Sequence, residues 1–170
     1  AFNWQSEFPQ VFERGGFDVV IGNPPYGALL TDHQKQYVTN RYECFKGNFD
    51  VYSAFIQVAF LLVKENGFWS YINPVSWQSG ENYLSVRKYL KKNGTLEIAI
   101  KLPFDVFENA YVDTGIYVVR NKVFANYFTS VYNFPIKGKY TGDLVTDIEF
   151  KKLPNIYWQN IPSHRIVLSP

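Results

Sequence analysis

Apolar positions along this 170-residue chain switch between strand-like runs and helical spacing. Phe17-Asp18-Val19-Val20-Ile21-Gly22 is a short apolar run that ends at two prolines. It reads as a strand, apolar on both faces as in the middle of a parallel sheet. Between residues 50 and 65, Val51, Ala54, Phe55, Val58, Leu61 and Leu62 keep helical spacing, with Asp50 near the start and Asn66-Gly67 as the stop. Residues 68–73 return to a strand, ended by Asn73-Pro74. Ser79 or Glu81 then opens a helix that runs to about residue 91, and Asn93-Gly94 closes it. Strands follow at 95–102 and 114–121, joined by a loop at 103–112. With no helix between them, these two are expected to pair antiparallel. Residues 123–135 alternate aromatic and polar positions and read as β. Upstream, residues 1–16, with a break at Gly15-Gly16, suggest a short strand and a loop or 3₁₀ turn before the first core strand. Residues 32–43 suggest a polar helix capped by Thr31 or Asp32, followed by a loop at 43–49.

Strands alternating with helices imply an α/β fold with a mainly parallel sheet. The tail, residues 136–170, is rich in Lys, Gly, Pro and Asn and reads as a linker with one strand-like stretch at 144–150. The expected organisation is therefore a packed region at 1–135 and a linker at 136–170. A net charge of +2 neither demands nor excludes nucleic acid, so any basic surface must be local. The single cysteine, Cys44, cannot form an internal disulfide and fits a reducing cytoplasm. No apolar stretch is long enough to span a membrane. The chain starts at Ala1, contains no Met and stops at Ser169-Pro170. It reads as a piece of a longer protein.

The most informative residues are Asn23-Pro24-Pro25-Tyr26, directly after the first strand. By chance this tetrapeptide arises in a chain this long on the order of once in two thousand cases. It resembles the catalytic signature of amino-methyltransferases, which move a methyl group from S-adenosylmethionine onto a planar nitrogen. The chemistry suits the residue types. An exocyclic amine is a poor nucleophile because its lone pair is delocalised into the ring. The Asn23 side-chain oxygen can accept one N–H, and the Pro24 carbonyl the other. Pro24 and Pro25 stiffen the turn, so both acceptors are preorganised. Tyr26 offers a flat face for stacking.

The resemblance extends further. Phe2-Asn3-Trp4, Phe8-Pro9 and the run from Gly15 to Tyr26 resemble the adenine methyltransferases of type IIG restriction–modification enzymes. So do Tyr52-Ser53-Ala54-Phe55, Asn66-Gly67, Tyr71-Ile72-Asn73-Pro74-Val75-Ser76-Trp77 and the segment from Phe107 to Val119. The likeness covers roughly the first 120 residues. It implies the catalytic second half of a Rossmann-like S-adenosylmethionine-dependent methyltransferase sheet, with a C-terminal antiparallel hairpin. Residues 136–170 would lead toward a target-recognition domain. The implied partner is double-stranded DNA, with the adenine flipped out of the duplex. Asn23, Pro24, Pro25 and Tyr26 would hold the flipped adenine, and Phe107 would pack on its other side. Phe55 would line the cofactor's adenine, although its spacing equally fits the core face of a helix. Asp18 would act on the turn. The resemblance places the protein in a bacterial or archaeal cytoplasm.

One departure matters. The family's glycine-rich cofactor loop lies upstream of the catalytic turn, and nothing before Phe17 matches it. The isolated chain is therefore expected to bind S-adenosylmethionine weakly and to be inactive. Two other readings share these features: a glutamine or RNA amino-methyltransferase using the same turn, and a non-catalytic DNA-binding module. Arg87, Lys88, Lys91 and Lys92 form a basic helix end that suits the helix dipole or DNA phosphate. Lys137, Lys139, Lys151 and Lys152 fit a solvated linker or a DNA backbone. His33, His164 and Cys44 are too scattered for a metal site.

Overall fold

The structure is a computed structural model that describes residues 2–104, 106–107, 112–134, 148–156 and 161–167. Six strands are present among them: β1 (Phe17–Gly22), β2 (Val63–Pro74), β3 (Thr95–Lys101), β4 (Thr114–Arg120), β5 (Phe128–Asn133) and β6 (Lys151–Pro154). They form one sheet in the order β1-β2-β4-β3-β5-β6. β1 runs parallel to β2, and Gly22 lies opposite Tyr71. β4 is antiparallel to both β2 and β3, as expected for strands joined without a helix. β5 is parallel to β3, and β6 is antiparallel to β5. Since β4 alone reverses between β2 and β3, the carboxyl ends of β1, β2 and β3 share one edge of the sheet. In open α/β sheets that edge is where ligands bind.

Among the described residues, five α-helices accompany the sheet: α1 (Trp4–Glu7), α2 (Pro9–Phe12), α3 (Asp32–Arg41), α4 (Val51–Leu62) and α5 (Leu84–Asn93). Thr31, one of two candidate caps, starts α3. Its hydroxyl accepts from the Gln34 amide, and the Gln34 side chain accepts from the Thr31 amide. α4 and α5 cover one face of the sheet. Tyr52, Ile56, Ala59 and Phe60 of α4, with Val86 and Leu90 of α5, pack on Trp69, Tyr71, Leu96, Ala99, Tyr117 and Val119. A smaller cluster, Leu102, Phe134 and Ile148, covers part of the opposite face.

Four local expectations are corrected. Residues 2–16 contain no strand. They form α1, capped by the Asn3 side chain, and α2, started by Pro9. β1 is not buried on both faces. Only Val20 packs against the core, whereas Val19 is 50% and Ile21 79% exposed. Helix α4 ends at Leu62, before Asn66-Gly67. Asn66 has φ 63° and lies within β2, where pairing jumps from Phe17↔Val63 to Val19↔Phe68. The linker-like composition after residue 135 includes segments that fold. β6 extends the sheet, and Leu153 and Ile166 are buried in the main core. Most of the strand-like stretch at 144–150 lies outside the described residues.

Candidate active site

The sheet geometry places residues 23–26 at the carboxyl end of β1. Next to them is the carboxyl end of β2, with its loop at residues 75–80. Asn23 is exposed, Pro24 buried and Pro25 exposed. Tyr26 is half-buried and leans on the main core cluster. The turn thus has one buried proline and one exposed Asn. Gly22 leaves room for this arrangement: a Cβ there would stand 3.0 Å from the Tyr71 ring.

Residues with no assigned role brace the turn. The Gly27 amide donates to Asp50 Oδ1 at 3.3 Å, tying the turn to the start of α4. Burial pushes the Asp50 carboxyl above its ordinary value, against the pull of the Gly27, Tyr52 and Val51 amides. At the second residue of α4, the Tyr52 hydroxyl lies 3.3 Å from Ser76 Oγ in the loop after β2. Burial raises the Tyr52 phenol far above its usual range, so it stays protonated. Tyr52 also stacks on Tyr83, with ring centroids 5.9 Å apart.

Phe107 is half-buried in the segment after β3, at the same edge of the sheet as the turn. Its neighbours at 108–111 lie outside the described residues. Phe55 is 39% exposed and points away from the face of α4 that buries Tyr52, Ile56 and Ala59. Asp18 lies on β1, before the turn. It forms a salt bridge with Lys64, which holds its carboxyl below the ordinary value. The basic end of α5 also divides. Lys88 and Lys92 are exposed, but Arg87 is 1% exposed and is no solvated charge. Lys151 and Lys152 are exposed on β6, and Lys137 and Lys139 lie outside the described residues.

Phe55 offers one aromatic wall on an open helix face. Gly15 and Gly16 serve a different purpose, since a Cβ at Gly16 would stand 2.5 Å from the Leu62 carbonyl at the opposite end of β1. The open groove of about 570 Å³, lined by Trp4, Phe12, Tyr37, Arg41 and Leu61, touches the carboxyl-terminal end of α4. The turn meets the amino-terminal end, about 17 Å away at the helical rise per residue. Among the described residues, no helix is long and apolar enough to cross a membrane.

Sequence reasoning missed Asp50, Tyr52 and Arg87 as supports of this edge. Asp50 and Tyr52 had a visible cue: they flank the start of the one strongly apolar helix, which follows the turn in the chain. Asn73 was read only as a strand end. It is buried at the carboxyl end of β2, and neither its oxygen nor its nitrogen has a protein partner.

Residues 1–107 match the profile of the Eco57I restriction-modification methylases. A candidate type II restriction enzyme and methyltransferase of Methanocaldococcus jannaschii, RM.MjaORFECS2P, is 36% identical over 160 residues. That match covers 91% of this chain and 13% of the relative. The adenine-specific methyltransferase BrxX of Escherichia coli is 31% identical over 110 residues, covering 62% of this chain and 9% of its own. Among solved structures, the type IIG restriction endonuclease BpuSI superposes with a TM-score of 0.55 at 25% identity, over 71% of this chain and 15% of its own. The chain spans 13% or less of the two curated relatives. The fold is the Rossmann-like one of S-adenosylmethionine-dependent methyltransferases. The chain belongs to the Eco57I restriction-modification methylase family.

Proposed function

We propose that this chain supplies the target-amine half of a DNA adenine methyltransferase. The protein would methylate the exocyclic nitrogen of adenine in duplex DNA as part of a restriction–modification enzyme. The observation that carries the reading is the Asn23-Pro24-Pro25-Tyr26 turn at the carboxyl end of β1, in a chain of this family. BrxX, a relative, is named as adenine-specific.

Each residue has a role in this reading. The Asn23 side-chain oxygen and the Pro24 carbonyl accept the two amine hydrogens and draw the lone pair out of conjugation with the ring. Buried Pro24, with Asp50 holding Gly27, keeps those acceptors in place. Tyr26 and Phe107 take the two faces of the extruded base, and base flipping brings it within their reach. Phe55 faces the adenine of the cofactor. The methyl donor, S-adenosylmethionine, supplies the methyl group. In this reading residues 136–170 lead toward the part that reads the DNA sequence.

The test is to incubate the complete protein with methyl-labelled S-adenosylmethionine and duplex DNA and to identify the labelled nucleoside. Label in methyladenine, lost in Asn23→Ala, supports the reading. Label in protein or RNA moves the activity to another planar nitrogen. Tight duplex binding without label leaves a binding module.

A further inference from the structure

Arg87 is a buried cation without an acidic partner. Its side chain is 1% exposed, and no carboxylate among the described residues lies within ion-pair reach. Main-chain carbonyls hold it instead. Nη1 donates to Trp77 O at 2.9 Å and Gly80 O at 2.7 Å, and Nε donates to Ser163 O at 3.0 Å. Nη2 has no partner among the described residues. Desolvating a guanidinium is costly, and a helix that needed only a polar residue here would not bury one. What the planar fork provides is reach. It joins the loop after β2, the body of α5 and a segment 76 residues further along the chain.

That distant segment is fixed in other ways. Ile166 is buried in the main core, and its amide donates to Gln78 O at 2.8 Å. The Gln78 side chain in turn donates to the Tyr117 hydroxyl. Ser163 and His164 have φ of 60° and 53°, a left-handed pair that is unfavourable for non-glycine residues unless surrounding contacts hold it. Arg87 takes the carbonyl of the first of these residues. Residues 161–167 are therefore seated on the loop at 75–80, and that loop reaches the catalytic turn through Ser76, Tyr52, Asp50 and Gly27.

We propose that Arg87 is a positioning residue that makes residues 161–167, the loop at 75–80 and the target-amine turn one mechanical unit. The segment through which the chain leaves the sheet thereby holds the acceptors of the turn in register. The inference rests on the amine-methylation reading for its kinetic consequence, but the coupling can be measured without it. A misplacement of about 1 Å at a reacting centre costs roughly 100-fold in rate, so a loosened loop would appear in kcat.

The experiment uses the complete protein with Arg87→Met, Arg87→Lys and Ile166→Ala. Two quantities are measured: amide hydrogen exchange, and methyl transfer to DNA with kcat and the cofactor KM resolved. The expected result is exchange at least tenfold faster at Gly80 in the loop and at Ser53 in the first turn of α4. kcat should fall at least tenfold while the cofactor KM stays within twofold. Arg87→Lys should not restore either, because an ammonium cannot span three carbonyls. Folded variants with Ser53 exchange and kcat both within twofold of the parent would overturn the proposal. If Arg87→Met does not fold, Ile166→Ala decides alone, since it unseats the segment and leaves the cation in place. A parent protein that labels no DNA would sink the functional reading, while Ser53 exchange would still decide the coupling.

Discussion

The amide of Gly27 donates to the Asp50 carboxylate across 3.3 Å, joining the turn after β1 to the residue that opens α4. A turn with two prolines is stiff inside but can still swing about its ends. This bond removes that freedom on one side. Asp50→Ala is expected to lower methyl transfer on the order of tenfold, because the acceptors of the turn are no longer fixed. Asp50→Asn keeps an acceptor oxygen and should retain most of the activity. Equal losses in the two variants would show that the charge matters and the hydrogen bond does not.

Asp50 also sets a pH dependence. Burial raises its folded pKa above the ordinary 3.8. The folded state then binds the proton more tightly than the unfolded state, so this group weakens stability as pH rises through the window above 3.8. Well below that value both states are protonated and the effect vanishes. Asp50→Asn removes it. The stability of the variant minus that of the parent should grow as pH rises and level off above the folded pKa. Urea denaturation between about pH 3.5 and 7 measures this difference, and a flat one would refute the assignment.

Asn23 is exposed, so its role and its stability are separable. Asn23→Ala should leave the melting temperature within about 2 °C, as for a surface substitution without partners. Methyl transfer should fall at least about 100-fold, the usual scale for losing one preorganised hydrogen-bonding group in a site. A variant that melts normally and retains full transfer would end the role proposed for this side chain.

The sequence made β1, α4, the antiparallel pairing of β3 with β4 and the turn at residues 23–26 legible, because each has a local cause. Val51, Ala54 and Val58 carry the helical period themselves, and the prolines carry the turn. What escaped depends on distant partners. Asn66-Gly67 looked like a helix stop, yet α4 ends at Leu62, where Asn121, far along the chain, takes the carbonyls of the helix end. α1 and α2 span four residues each, too few to show a period. Arg87 looked like surface charge because its acceptors are main-chain carbonyls, and carbonyls leave no trace in a residue pattern.

Asn121 makes a stability prediction. Its Nδ2 donates to Val63 O at 2.7 Å and reaches Phe60 O and Lys64 O at 3.4 and 3.3 Å. Its main chain pairs with Asn66 and Gly67. Carbonyls at a helix end need donors, and here one side chain supplies them across the sheet. Asn121→Ala should cost about 2 kcal/mol. Asn121→Asp should cost at least as much, because it sets an acceptor against acceptors. Equilibrium denaturation separates the two. An Asp variant as stable as the parent would show that the donor is dispensable.

Gly15 and Gly16 give the sharpest contrast. Both have positive φ, 92° and 124°. A Cβ at Gly15 would meet only Lys64 Cβ at 3.7 Å, an ordinary contact. At Gly16 it would stand 2.5 Å from Leu62 O and 3.0 Å from Lys64 N, both backbone atoms that cannot swing away. Gly15→Ala therefore loses only the conformational preference, about 1 kcal/mol. Gly16→Ala must also push the end of α4 away from the start of β1, and should cost more than about 3 kcal/mol. The pair thus tests whether these glycines serve the approach of helix to strand. Equal losses would mean that φ alone governs both positions and that the contact between Leu62 and Gly16 can relax. A much larger loss at Gly16 would fix the role of this glycine as packing at the amino end of β1, remote from the turn at residues 23–26.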